Sequence, residues 1–227
     1  MRLLDLFSCE GGAAVGYHRA GFDVVGVDIK PQRRYPFELH VGDAIEFVKE
    51  HGHEFDAIHA SPPCQRYSHG TVAGHAHKHP DLIGPTRDAL QATSAVWVME
   101  NVPRSPLHSP LVLCGSMFDL TATDDDGTPL RMERHRWFES NVLLYPPRPC
   151  RHDPSVRVAG AYGGARRDKE EARLVRKGGY VPSKPVQEAL LGINWMTQHG
   201  LHQSIPPAYS EWVGAQLLVA LTEGGAA

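Results

Sequence analysis

Four short apolar runs in the first hundred residues constrain this chain more than any other feature, because each stops abruptly at a turn that carries polar groups. Leu3–Phe7 runs into Ser8-Cys9-Glu10-Gly11-Gly12, and Phe22–Val27 ends at Asp28. Phe55–Ala60 is halted by Ser61-Pro62-Pro63, and Ser94–Met99 closes on Glu100-Asn101-Val102-Pro103. Between these runs, Ala13–Ala20 and Asp43–His51 are patterned as helices, the first closed by Gly21 and the second capped by Asp43. Continuous apolar strands alternating with helices predict a mostly parallel sheet covered on both faces. Ligands of open α/β sheets bind at the carboxyl ends of the strands. Asp5, Asp28, Ser61 and Glu100 are all predicted to lie at that edge.

The second half is less regular. Leu111–Cys114 and Arg136–Leu144 read as strands and Val186–Leu191 as a short helix. Tyr209–Leu221 reads as a final helix with Trp212, Val213, Gln216, Leu217 and Ala220 on one face. Residues 146–184, rich in Pro, Gly and Arg, read as a loop or minimal subdomain. The chain is therefore divided into a core over 1–145, an insert over 146–184 and closing helices over 185–227. The formal net charge is −3, which argues against a general nucleic-acid binder, yet the stretch 148–184 alone carries ten Lys or Arg against four acids. A basic insert on an acidic body fits a local phosphate-contacting surface, with Arg166, Arg167, Arg173, Arg176 and Lys177 as candidate contacts.

Other function classes are argued against by composition. No apolar run approaches the length of a membrane span, and the opening residues do not resemble a secretion signal, so an intracellular protein is expected. The four cysteines, Cys9, Cys64, Cys114 and Cys150, include no Cys-x-x-Cys pair, so neither a disulfide framework nor a zinc ribbon is expected. Cys150-Arg151-His152 could supply two metal ligands, but no second pair stands out, and the expectation is that no metal is bound.

Three of the turns carry residue types suited to chemistry. Gly11 and Gly12 let the backbone approach a ligand at a helix N-terminus, and Asp28 stands where a carboxylate can accept ribose hydroxyls. Ser61-Pro62-Pro63-Cys64-Gln65 presents a thiol rigidly from a strand end. Glu100 can protonate a ring nitrogen if burial raises its pKa. Arg134-His135-Arg136 begins a strand and could meet phosphate or a base carbonyl.

Taken in order, DLFSCEGG (5–12), VGVD (25–28), GDA (42–44), SPPCQ (61–65), MENV (99–102), RHRWF (134–138) and SIPPAYSEW (204–212) resemble the motif series of the cytosine-5 DNA methyltransferase family. The resemblance spans nearly the whole chain outside 146–184. It implies a Rossmann-like S-adenosylmethionine-dependent methyltransferase fold of α/β class, with a mixed, mostly parallel seven-stranded sheet. It implies S-adenosylmethionine as cofactor, lined by Asp5, Phe7, Ser8, Gly11, Gly12, Asp28, Ile29, Asp43, Ala44 and Pro62, and by Ser210, Glu211 and Trp212 of the last motif. It implies that Cys64 adds to C6 of an extruded cytosine while Glu100 engages N3, with Arg136 and Arg134 beside the base. DNA is the implied partner, touched also by Gln65 and Ser68, with no membrane, a monomeric chain and a cytoplasmic setting in a bacterial or phage-infected cell. The loop Ser68–Pro80, with His69, His75, His77 and His79, matches the segment that closes over the extruded base.

Several residues depart from the family pattern. Cys9 stands in place of Gly, Asp28 in place of Glu, and Gln203-Ser204-Ile205-Pro206 in place of a Gly-Asn opening. Arg131-x-x-Arg134-x-Arg136 only approximates Gln-x-Arg-x-Arg, and fewer than about forty residues remain for target recognition, as in compact phage-type members. These departures keep open an RNA or free cytidine nucleotide acceptor, a carboxylated S-adenosylmethionine donor, and a catalytically idle DNA-binding protein.

Overall fold

A computed structural model describes residues 1–68, 75–161 and 180–224. The main sheet has seven strands in the order β3-β2-β1-β4-β5-β9-β6, from β1 (Arg2–Leu6), β2 (Asp23–Asp28), β3 (Glu38–Val41), β4 (Ala57–Ala60), β5 (Val96–Asn101), β6 (Leu111–Leu113) and β9 (Arg136–Ser140). The first five run parallel, and β9 is antiparallel to both β5 and β6. A second, three-stranded sheet joins β7 (Thr121–Thr123), β8 (Pro129–Arg131) and β10 (Arg157–Val158). The helices are α1 (Gly12–Ala20), α2 (Ala44–His51), α3 (Ile83–Gln91), α4 (Lys184–Leu191), α5 (Gln198–Gln203) and α6 (Pro207–Gly224).

Strand alternation divides the interior into two layers. Leu3, Ala57 and Val98 pack on one face with Tyr17 of α1 and Tyr209, Val213 and Leu217 of α6. Leu4, Leu6, Ile58 and Met99 pack on the other with Val48 of α2 and Ile83 and Leu90 of α3. α1 and α6 touch closely because Gly16 has no side chain: a Cβ there would lie 2.0 Å from Ser210 Oγ and 2.2 Å from the Pro207 carbonyl oxygen. A third cluster unites Leu130 and Met132, Ala159 and Ala161, and Val186, Leu190 and Leu201. It draws on all three of the expected segments, so the described ends of 146–184 are packed against the body. Among the described residues no helix is long and apolar enough to cross a membrane.

Several elements differ from the sequence reading. β3 is not expected, because it is a four-residue edge strand with little buried surface, too short for its polar–apolar alternation to stand out. α3 was not expected either: Gly84 and Pro85 suggest a loop, but they occupy its first turn, where the missing N–H of proline costs no helical hydrogen bond. The strand expected over Arg136–Leu144 stops at Ser140. There the Asn141 side chain takes over the ladder, accepting from the Trp97 N–H at 2.8 Å and donating to the Ala95 carbonyl at 3.1 Å. The final helix extends at both ends of its expected range. Arg166, Arg167, Arg173, Arg176, Lys177 and His69 lie outside the described residues.

Candidate active site

The parallel register places Asp5 beside Gly26 and His59, and His59 beside Val98, so Asp5, His59 and Glu100 all project to the α1–α6 face. A polar seam thus runs under the carboxyl edge of an otherwise apolar layer. Gly26 keeps the space over β2 open for the Tyr35 ring, which a Cβ would meet at 2.4 Å, and the Tyr35 hydroxyl donates to Asp5 Oδ2 at 3.3 Å. Among the described residues Asp5 Oδ1 has no hydrogen-bond partner, and burial pushes the Asp5 carboxyl up to about 8. Tyr17 pairs its hydroxyl with His59 Nδ1 at 2.9 Å, and burial holds His59 down to about 3, so its imidazole is neutral.

Beyond β1 the chain turns sharply through left-handed backbone at Phe7, Cys9 and Gly11 before entering α1. Asp28 holds this turn: its carboxylate accepts from the Cys9 N–H at 2.9 Å and the Lys30 N–H at 3.0 Å. A recess with an enclosed volume of about 30 Å³ lies over the turn, lined by Asp5, Phe7, Ser8 and Gly12 on one side and by Met196, Gln203, Ser204 and Ile205 on the other. Glu10 ties its two walls together, since its carboxylate accepts from the Thr197 N–H and hydroxyl, both at 2.7 Å, and its carbonyl from Trp195 Nε1 at 2.9 Å. Ser8 Oγ, like Asp5 Oδ1, is buried without a partner among the described residues.

Of the expected cofactor residues, Asp5, Phe7, Ser8 and Gly12 line this recess, with Gly11 as the left-handed residue preceding α1. Ile29, Asp43 and Ala44 lie outside its lining. Ile29 is exposed, Asp43 caps α2 through Oδ1, and Ala44 is buried on the opposite face of the sheet. Ser210, Glu211 and Trp212 also lie outside its lining. Ser210 Oγ faces Gly16 at the α1 contact, Glu211 is exposed, and Trp212 Nε1 donates to the Tyr145 carbonyl. Proline opens α6 at residue 207 and the helix turns these side chains away, so the wall is built by the preceding segment 203–205. Gln203 and Ser204 were legible only as a departure from the family motif, and Glu10 carried no signal of its own.

Cys64 begins the turn after β4, its carbonyl accepting from the Tyr67 and Ser68 N–H groups at 3.0 Å. Asn101 fixes this turn from β5: Nδ2 donates to the Pro62 carbonyl at 2.9 Å, while Oδ1 accepts from the Val102 N–H. Glu100, the neighbour of Asn101, is 5% exposed, and Arg136 Nε lies 3.0 Å from its Oε1, at an angle that leaves this oxygen without a hydrogen bond. Burial raises Glu100 to about 7, against the opposing pull of Arg136 and Arg134. The Cys64 thiol is raised by burial and by Glu100, and lowered by the same two arginines. Cys64 also contributes, after burial, Asp28 and Asp5, to raising the Cys9 thiol at the rim of the recess.

Arg134 is not beside these groups as an open contact. It is 2% exposed and donates to the Ala161, His202 and Ser204 carbonyls, each at 2.8 Å, so it clamps the recess wall to the small sheet. Arg136 is the first residue of β9 and faces Glu100, whereas Arg134 precedes the strand and turns to the Ala161 carbonyl at the third cluster. Gln65 is exposed beyond Cys64, and Ser68 ends the described part of that loop.

Comparison with known proteins places these features in context. Residues 1–108 match the family of C-5 cytosine-specific DNA methylases. The Type II methyltransferase M.HgiGI of Herpetosiphon aurantiacus is 31% identical over 124 residues, 47% of this chain and 94% of that protein. M.HgiDI of the same organism is 29% identical over 121 residues, and there the match spans 38% of the relative's length. The structure of the Schizosaccharomyces pombe Dnmt2 methyltransferase, 12% identical, superposes with a TM-score of 0.57 over 97% of this chain and 99% of its own. That likeness is one of fold.

Proposed function

We propose, from the premise that this chain belongs to the C-5 cytosine-specific DNA methylase family, that it methylates C5 of cytosine in DNA with S-adenosylmethionine as donor and Cys64 as nucleophile. The observation that carries the reading is the convergence of a semi-buried thiol, a carboxyl still about half protonated at neutral pH, and a guanidinium at one strand edge, beside a recess with two polar atoms that lack a partner among the described residues.

The recess suits the amino-acid end of the donor. Asp5 Oδ1 and Ser8 Oγ are acceptors placed for an ammonium group, and the N–H groups opening α1 suit a carboxylate. Its enclosed part holds little more than one water, so the nucleoside end lies outside it, along the edge toward Asp28. The donor supplies an electrophilic methyl group. The chain's own groups make the acceptor carbon nucleophilic. Cys64, as thiolate, forms a bond to C6 while Glu100 gives its proton to N3, and the C5=C6 electron pair becomes available at C5. After methyl transfer the C5 proton leaves to a base, the Cys64–C6 bond breaks, and N3 returns its proton. Arg136 steadies the Glu100 carboxylate after it has given up the proton. Asn101 holds the Cys64 turn in register with Glu100. C6 is shielded in stacked DNA, so the target base must leave the duplex.

The test is a trapping assay. Chain, S-adenosylmethionine and duplex DNA carrying 5-fluorocytosine should give a denaturation-resistant adduct that Cys64→Ser does not form. Labelled donor offered to DNA, RNA and dCMP in parallel decides the acceptor. No adduct from the intact chain, or label in dCMP alone, overturns the reading.

A further inference from the structure

Four residues from three separate segments bring their ligand atoms together on the far side of β9. Cys114, His135, Cys150 and His152 each offer one donor atom, and all four atoms lie within 4.8 Å of one another. His152 Nε2 stands 3.3 Å from Cys114 Sγ and 3.1 Å from Cys150 Sγ, and His135 Nε2 stands 3.6 Å from Cys150 Sγ. A tetrahedral zinc site has Zn–S bonds of about 2.3 Å and Zn–N bonds of about 2.1 Å, which puts neighbouring sulfur and nitrogen ligands about 3.6 Å apart. The observed separations are the edges of such a tetrahedron, slightly contracted. One imidazole nitrogen shared between two thiols is poorly used by hydrogen bonding alone, because a neutral nitrogen accepts a single S–H along its lone pair.

The fold explains how the set assembles. In the β6–β9 ladder Leu113 pairs with Arg136, so Cys114 and His135 are the next opposed pair beyond it. The chain after β9 then folds back. Arg148 donates to the Met117 carbonyl at 2.9 Å and pairs with Asp119 at 2.5 Å, and this delivers Cys150 and His152 to the same point. Glu133 lies 3.5 Å from His152 Nδ1, the ring nitrogen that would face away from a metal, and carboxylates in this position orient ligating histidines. By sequence alone Cys150 and His152 make half a site. The other half is 15 and 36 residues upstream of Cys150, at no recognisable spacing.

We infer that Cys114, His135, Cys150 and His152 form a closed Cys2His2 site for a structural zinc ion. With four protein ligands it leaves no open position for substrate, which sets it apart from the Cys64 chemistry. Its role is to pin the chain around His135. That residue separates Arg134, which clamps the recess wall, from Arg136, which faces Glu100. The ion would thereby tie the loop 146–152 to the active edge.

Metal analysis of the full chain tests this. After dialysis the intact protein should retain a stoichiometric zinc ion, and Co(II) exchanged into it should show the intense visible bands of a tetrahedral thiolate site. Cys150→Ser combined with His152→Ala removes the two more exposed ligands and should abolish both signals, whereas Cys64→Ser should leave both intact. Chelation of the unmodified chain supplies a check that does not depend on a variant folding: it should expose Cys114 and Cys150 together to a thiol reagent. Substoichiometric metal after zinc reconstitution, a weak octahedral Co(II) spectrum, metal retained by the folded double variant, or thiol reactivity unchanged by chelation would overturn the site. None of these readouts depends on methyl transfer.

Discussion

Replacing Glu100 by Gln should separate stability from activity in a pH-dependent way. Burial raises this carboxyl from 4.5 to about 7, against the pull of two arginines. A carboxyl that binds its proton more tightly folded than unfolded stabilises the folded state only while it is protonated. Stability is therefore lost as pH rises from the unfolded value through the folded one, and the full cost, about 3 kcal/mol, is reached above about pH 7. Gln carries no such titration. Its own desolvation, and the loss of a partner for Arg136, are constant offsets across pH. The quantity to measure is the difference in unfolding free energy between variant and wild type, from urea titrations followed by tryptophan fluorescence at steps between about pH 5 and pH 8.5. That difference should shift in favour of Gln by about 3 kcal/mol across the range. Asp5, also raised by burial, is common to both chains and cancels. A flat difference would refute the inference that Glu100 is held protonated by burial, and with it the proton donor assigned to N3.

If that donor is real, wild-type kcat/KM should rise with pH and level off near about pH 7, where Glu100 begins to lose its proton, while Glu100→Gln should fall by at least about 100-fold and rise with the thiol alone. Wild-type and variant profiles of the same shape would contradict it. Asn101→Ala removes the donor to the Pro62 carbonyl, and should lower kcat by about 10-fold or more with donor affinity, read by calorimetry, nearly unchanged. Gly16→Ala forces a methyl group onto Ser210 and the Pro207 carbonyl, and should destabilise by about 3 kcal/mol, seen as a fall of several degrees in Tm. Arg134→Met leaves three carbonyls, two of them in buried hydrogen bonds, without their donor and should cost about 3–5 kcal/mol in urea unfolding, more than any loss of charge at the surface would.

The strands that carry chemistry were legible because parallel central strands are buried on both faces and read as continuous apolar runs, and the polar residues that interrupt those runs can be counted directly. Asp5, Cys64 and Glu100 stand out on that ground. β3 and α3 were not legible, since an exposed edge strand of four residues offers too short a pattern and a first-turn proline resembles a loop. Arg134 and Arg136 look equivalent in the motif RHR. Only where β9 begins separates them: Arg136 is its first residue, two before the Phe138 that pairs with Glu100, whereas Arg134 lies beyond the strand end and turns to the Ala161, His202 and Ser204 carbonyls.

Local sequence thus determined the order of elements, the residues at the carboxyl edge and their chemical types, because periodicity and turn chemistry are properties of neighbouring residues. Tertiary structure alone decided which of them meet. Asn101 reaching the Pro62 carbonyl, residues 203–205 rather than 210–212 closing the recess, and four zinc-type ligands converging from positions 114, 135, 150 and 152 are all contacts across sequence separations that no local pattern encodes. They follow from how strands and loops stack, and burial in that stack then sets the pKa on which the proposed chemistry rests.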